Sequence, residues 1–255
     1  MRTLVITPTY DEGENIEEFL RRTRAAVPDA DILVVDDNSP DGTADIAKRV
    51  GEELGQIDIL LRPEKQGLGV AYRAGLALGV ERGYDVICHI DADLSHDPAV
   101  LPVLIERLRA DRADLVIGSR YVPGGSIPHW PWFRRALSRV GNFYAGVVLG
   151  TSVRDNTSGY RAYRAPMLET IDFASTRAKG YGFMIETAYR VWQHGGRIVE
   201  SPIAFTDRVR GYSKMTLTVA AEELLLVTWW GIRDRTRRLL SRLVRRRSRP
   251  PCAPS

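Results

Sequence analysis

The chain has 255 residues, 44% of them hydrophobic and 27% charged. That is enough for one large α/β domain with a buried core, or at most two small ones, and too apolar for a disordered chain. Two cysteines, Cys88 and Cys252, exclude a disulfide framework or a cysteine metal cluster. They suit a reducing cytoplasm, with Cys88 an inert core residue.

The net charge of +4 averages two unlike parts. Residues 233–249 hold nine arginines and one aspartate, a balance of +8, which leaves −4 on the rest of the chain. This divides the chain into a mildly acidic body, residues 1–232, and a basic tail, residues 233–255. It gives the tail an acidic partner, either membrane lipid or nucleic acid. The start, Met1-Arg2-Thr3, runs directly into an apolar stretch and shows no secretory leader.

In chain order, Thr3 to Thr7 is short, apolar and β-branched, as a parallel strand covered on both faces should be. Pro8 to Gly13 reads as a loop, and a helix follows with Ile16, Phe19, Leu20 and Val27 on one face. Asp31 to Val35 is a second strand, and Asp36 to Thr43 a polar turn opening a helix with Ile46, Val50 and Leu54 inward. Ile57 to Leu61 is a third strand. Lys65 to Gly69 leads into a helix carrying Tyr72, Leu76 and Val80. Asp85 to Ile90 is a fourth strand ending in Asp91-Ala92-Asp93. Asp97 and Pro98 suit a helix cap and first helical position. Asp114 to Gly118 is a fifth strand. Arg120 to Arg135 reads as one long loop, functional by its length and its two tryptophans. A helix near 137–149, a turn at 155–159, a helix near 185–194 and a strand near 197–205 complete the body. The alternation predicts an α/β fold with a mostly parallel central sheet and helices on both faces. The polar clusters fall after strands, at the carboxyl edge where such sheets bind ligands.

Asp91-Ala92-Asp93 is the strongest chemical signal. Alternate residues of an extended segment point the same way, and paired carboxylates commonly hold a divalent ion that also binds substrate phosphates. The competing reading is a pair of helix caps or solvated turn residues. His89 reads as a core histidine rather than a third ligand, and His96 stays open. Asp36-Asp37 suits ribose or base contacts, or a helix-start turn, or both. A dinucleotide-binding oxidoreductase would need a glycine fingerprint after the first strand. That place reads Thr7-Pro8-Thr9-Tyr10-Asp11-Glu12-Gly13, which cannot cradle a pyrophosphate on backbone amides.

Seven motifs occur in order. They are Pro8-Thr9-Tyr10-Asp11-Glu12, Val34 to Thr43, Gly67-Leu68-Gly69, Asp91 to His96, Gly118 to Val122, Thr157 to Arg161, and Gly211-Tyr212-Ser213-Lys214. Together they resemble the dolichol-phosphate mannose synthase and polyprenol monophosphomannose synthase group of family-2 glycosyltransferases, from about Thr3 to Lys214. The resemblance implies a GT-A type fold and a nucleotide-sugar donor. It implies that Pro8, Tyr10, Glu12, Val35 and Asp37 surround base and ribose. Asp91 and Asp93 would hold Mg²⁺ or Mn²⁺ with the diphosphate, and Ala92 would line the same site. Ser95, where some relatives carry a metal-contacting Gln, joins the metal set. Arg120, Arg134, Arg208 and Lys214 would bind donor and acceptor phosphates, with Asp93, Arg120 and Arg134 the catalytic set.

The expected activity is metal-dependent, inverting transfer of a hexose, mannose from GDP-mannose, to a polyprenyl phosphate. UDP-glucose as donor, or a non-lipid acceptor, is the alternative within enzymes. A silent nucleotide-sugar or membrane-binding module is the alternative of another class. Leu217 to Ile232 carries Glu222 and Glu223 and is too short and interrupted for a bilayer span of ~20 apolar residues. Trp229 and Trp230, with Leu239, Leu240, Leu243 and Val244 among arginines, read as an interfacial basic helix. The competing reading is an ordinary terminal helix with a charged end. The expected placement is cytoplasmic, peripheral on the inner face of the cell membrane, with no nucleic-acid partner.

Overall fold

The computed structural model describes residues 1–178, 180, 182–207 and 224–236. Seven strands form one sheet: β1 Thr3–Thr9, β2 Asp31–Asp36, β3 Ile57–Leu61, β4 Val86–His89, β5 Leu115–Ser119, β6 Arg161–Arg164 and β7 Ile198–Pro202. Their spatial order is β3-β2-β1-β4-β6-β5-β7. β1 pairs in parallel with β2 and β4, β2 with β3, and β5 with β7. β6 lies antiparallel between β4 and β5. The sheet is therefore mixed and mostly parallel.

Side chains alternate between two cores because successive residues of a strand point to opposite faces. Leu4, Ile6, Leu33, Val35 and Ile87 enter one core with Tyr72, Leu76 and Phe183. Val5, Ile32, Val34, Val86 and Cys88 enter the other with Phe19, Leu20 and Val50. Helices α1 Ile16–Ala26, α2 Thr43–Leu54 and α4 Leu101–Ala110 supply the second core; α3 Leu68–Glu81, α5 Trp132–Leu149, α6 Ala165–Thr170 and α7 Gly182–Gln193 supply the first. Residues 224–236 are helical, with Val227 and Trp230 in the first core.

The five early strands stand where the apolar runs predict them. Asp97 caps the turn that opens α4, its carboxylate accepting from the Ala99 amide at 3.0 Å, with Pro98 next. Three features differ. The expected loop over 120–135 ends at Pro131, where α5 begins five residues before the predicted start at 137. No Ser, Thr, Asp or Asn marks that start, so the cap signal is missing. β6 and α6 have no counterpart among the elements the sequence predicts. β6 has four residues with arginine at both ends, a pattern that imitates a loop. Extended structure in β4 stops at His89, and Ala92 and Asp93 lie in a turn. Strand alternation therefore does not aim the two aspartates.

Candidate active site

The carboxyl edges of β1 and β2 are joined by side chains. Asp36 accepts from Thr9 Oγ1 (2.7 Å), from the Ser39 amide (2.9 Å) and from Ser39 Oγ (2.6 Å). Asp41 accepts from the Gly13 amide at 2.7 Å and from Thr43 Oγ1 at 2.5 Å. These contacts fasten the loop after β1 to the turn after β2. Asp36 thus does turn work, while Asp37 faces a cation, Arg62, at 2.7 Å. Burial raises the Asp37 carboxyl above its usual range against the pull of Arg62. Pro8 and Val35 sit side by side in the paired strands. Lys65 lies 3.9 Å over the Tyr10 ring, and Glu12 accepts from Asn15 Nδ2 at 2.9 Å. The residues expected around base and ribose therefore share one edge of the sheet.

The acidic turn follows β4. Asp91 accepts from Tyr72 Oη of α3 at 2.6 Å, and Gly159 lies so close that a Cβ there would stand 3.1 Å from Asp91 Oδ2. Asp93 is buried and accepts from the Ser95 amide at 3.0 Å. Ala92 is buried between them. Ser95 Oγ is buried without a hydrogen-bond partner. Two carboxylates and an orphaned hydroxyl are hard oxygen donors of the kind Mg²⁺ or Mn²⁺ takes beside phosphate and water. Among the described residues no three His, Cys, Asp or Glu side chains gather as a metal cluster, so a diphosphate and water would have to complete the shell.

His89 is a core histidine. It is fully buried, its Nδ1 is 2.7 Å from the Gly159 carbonyl, and its ring centroid lies 4.3 Å from that of Tyr72. Burial and the Arg161 charge push its pKa down to about 3. His96 is buried against Phe205 and Tyr160. Burial holds it neutral too, with Asp93 pulling the other way. Cys88 is wholly buried, and burial pushes its thiol up to about 12, so it is inert at neutral pH.

Arg120 follows β5 and is held by Asp155 through Nε at 2.8 Å, Nη2 at 2.7 Å and its own amide at 2.9 Å. Both groups are buried. Burial raises the Asp155 carboxyl, but the Arg120 charge and hydrogen bonds outweigh it, and the net shift is downward. Glu200 of β7 fixes the backbone beneath, accepting from the Arg154 and Asp155 amides at 2.9 and 3.0 Å. An aromatic wall links this cation to its neighbours: Arg120 lies 5.4 Å from the Phe205 centroid and 5.8 Å from that of Trp130. Phe205 packs on His96, behind the acidic turn. Arg134, near the start of α5, stacks on Trp130 at 4.0 Å and meets Asp207 at 3.3 Å. Acidic turn, Arg120 and Arg134 thus border one region. Arg208 and Lys214 lie outside the described residues.

Sequence reasoning did not single out Asp155, Arg62, Tyr72 or Arg161. Arg161 is wholly buried in β6 and donates to the carbonyls of Asn156, Ser158 and Met184. It thereby holds the 156–160 loop against the acidic turn. Arg161 closes the Thr157 to Arg161 motif and Asp155 stands two residues before it, but the motif marks the segment and not who partners whom.

A mostly parallel sheet with an acidic turn and buried arginines at its ligand edge is a GT-A-like nucleotide-sugar transferase arrangement, and such a protein is a catalytic glycosyltransferase. The chain belongs to glycosyl transferase family 2, whose profile matches residues 4–172. It is 48% identical to undecaprenyl-phosphate mannosyltransferase of Micrococcus luteus, over 95% of this chain and 99% of the relative. It is 46% identical to polyprenol monophosphomannose synthase of Mycolicibacterium smegmatis, over 92% and 88%. In fold it is similar to glucosyl-3-phosphoglycerate synthase of Mycobacterium tuberculosis, with a TM-score of 0.63, 21% identity and coverage of 89% and 80%. It is also similar in fold to a mannosyltransferase of Pyrobaculum calidifontis solved with GDP-Man and Mn²⁺, with a TM-score of 0.57, 19% identity and coverage of 83% and 58%.

Proposed function

We infer that the protein transfers a hexose, mannose from GDP-mannose, to a polyprenyl phosphate with inversion at the anomeric carbon. The observation that carries this reading is the identity of 48% along nearly the whole of both chains with a relative described as an undecaprenyl-phosphate mannosyltransferase. The site chemistry supports it.

An acceptor phosphate has a second pKa near ~6 and is largely a dianion at neutral pH. Its oxygen can attack the anomeric carbon without a general base. The new carbon–oxygen bond forms as the bond to the donor's diphosphate breaks, and the electron pair leaves with the diphosphate. The protein's task is therefore to place two anions in line. Arginine suits this, since its planar fork grips phosphate through paired hydrogen bonds. Arg120 and Arg134 take this role, joined in this reading by Arg208 and Lys214. Asp91, Asp93 and Ser95 would hold Mg²⁺ or Mn²⁺, which when bound neutralises the leaving diphosphate. Pro8, Tyr10, Glu12, Val35 and Asp37 take base and ribose, and Ala92 lines the sugar-diphosphate site.

Residues 1–232 form the catalytic domain in this reading, and the 233–255 tail adds cationic attraction to an anionic membrane surface. No described helix is long and apolar enough to cross a membrane. We place the protein in the cytoplasm, peripheral on the inner face of the cell membrane, with no nucleic acid as partner.

Radiolabelled GDP-mannose should appear in organic-extractable lipid when the protein is given a polyprenyl phosphate. EDTA and Asp93→Ala should each abolish that transfer while the fold is kept. Near-normal transfer in either case overturns the metal role. Binding of GDP-mannose and UDP-glucose without turnover of either, on any acceptor, overturns the enzyme.

A further inference from the structure

Asp91 lies just past the end of β4 and is half-buried. Water competes for a carboxylate in such a place, and ordering the side chain costs free energy on binding. A metal ligand there is effective only when a neighbour orients it. Tyr72 of α3 does so: its hydroxyl donates to Asp91 Oδ1 at 2.6 Å, a short, charge-assisted bond.

The hydroxyl is itself held by packing. Tyr72 is wholly buried, with its ring centroid 4.3 Å from that of His89 and 6.1 Å from that of Phe183, on which it stacks. Tyr72, Gly75 and Gly79 recur at steps of three and four, so they share one face of α3. A Cβ on Gly75 would stand 2.6 Å from Ile6 Cγ2, and one on Gly79 2.7 Å from Ile87 Cδ1. The two glycines therefore let the helix settle onto β1 and β4, which brings the tyrosine within reach of the turn. His89 secures the opposite side. Its Nδ1 is 2.7 Å from the Gly159 carbonyl; a carbonyl only accepts, so Nδ1 carries the proton. That bond ties the glycine flanking Asp91 to the ring that packs on Tyr72. A phenylalanine would fill the space of Tyr72 equally well, so packing alone does not call for the hydroxyl.

We propose that Tyr72 is a positioning residue for the metal site, its hydroxyl fixing the Asp91 carboxylate as a ligand for Mg²⁺ or Mn²⁺. This rests on the reading of Asp91 as a metal ligand given above, and it adds a residue that lies in none of the seven motifs. Groups that orient a metal ligand without touching the metal change affinity or activity by about 10–100-fold when lost.

The test titrates Mn²⁺ into the full chain with GDP and follows the EPR signal of free Mn²⁺, with GDP alone as the blank. Tyr72→Phe keeps the ring contacts, and water can replace the hydroxyl at half-buried Asp91, so the melting temperature should be little changed. Mn²⁺ should bind at least about ten-fold more weakly. The KM for Mn²⁺ in mannosyl transfer should rise in step, while kcat at saturating Mn²⁺ returns to within about two-fold of wild type. In an Asp91→Asn background the same substitution should change Mn²⁺ affinity by less than about two-fold, because both changes act through one carboxylate. Wild-type Mn²⁺ affinity in Tyr72→Phe overturns the proposal. An equal loss in both backgrounds also overturns it, since Tyr72 would then support the fold at large. So does a loss matched by weaker binding of GDP without metal. Failure of the metal reading shows separately, as no Mn²⁺ bound by the wild type beyond what GDP alone takes up.

Discussion

Arg120 is the residue on which the site's electrostatics turn. A guanidinium this buried needs a counter-charge, and Asp155 supplies it in bidentate form. In the proposed reaction the pair would hold the fork oriented for a phosphate, which would lower the ordering cost on binding. Asp155→Asn keeps the shape and removes the charge. Breaking a buried pair from one side costs about 3–5 kcal/mol, so urea unfolding should report a loss of that order, and kcat should fall with it. Replacing both partners, Arg120→Leu with Asp155→Leu, should recover most of the stability and none of the activity. If the double variant stays active, Arg120 has no part in catalysis. Asp37 shows the same logic on a smaller scale: its motif position was legible, but its partner Arg62 lies 25 residues away and no spacing rule connects them.

At the scale of elements, β6 is the piece that assembles the site. It lies antiparallel between two strands that run the other way, and the loop that feeds it carries Gly159 against Asp91. Gly159→Val would push two methyl groups toward that carboxylate. The expected outcome is a fall in kcat/KM of at least about ten-fold, ~1.4 kcal/mol of barrier, with the melting temperature little changed. Wild-type kinetics would mean that the acidic turn tolerates displacement and that its position is not critical. This strand was illegible for a physical reason. Hydrophobic periodicity detects strands whose burial is apolar, and Arg161 is buried polar, stabilised by carbonyls of the loop just before it and of the distant helix α7. The early start of α5 was hidden likewise, because Trp132 and Phe133 look like core residues while the fold leaves them exposed.

For the whole molecule, two buried imidazoles set the acid limit. His89 titrates at about 3 in the fold, and burial depresses His96 as well, against about 6.5 in an unfolded chain. Because the folded values lie lower, the unfolded state binds more protons below pH ~6.5. Stability is then fully present above that value and declines as pH falls toward the folded pKa values, by up to about 1.4 kcal/mol per pH unit for each histidine. Asp155, whose pKa is depressed, adds a further loss below about 4. Urea midpoints measured from pH 7.5 to 4.5 should fall in step, and His96→Phe should flatten the slope; a flat wild-type profile would mean that both rings charge freely in the fold. The succession of early strands along the chain, the mostly parallel sheet covered on both faces, the polar turns that follow its strands and the seven motifs were determined by the sequence alone, because apolar runs and turn chemistry are local properties. The mixed sheet, the Arg120–Asp155 and Asp37–Arg62 pairs, the clasp of Tyr72 and Gly159 on Asp91, and the exposure of α5's apolar side chains among the described residues were decided only by tertiary structure. Each depends on which distant segments meet, and a buried charge or an exposed tryptophan reads the same in sequence whether or not its partner is there.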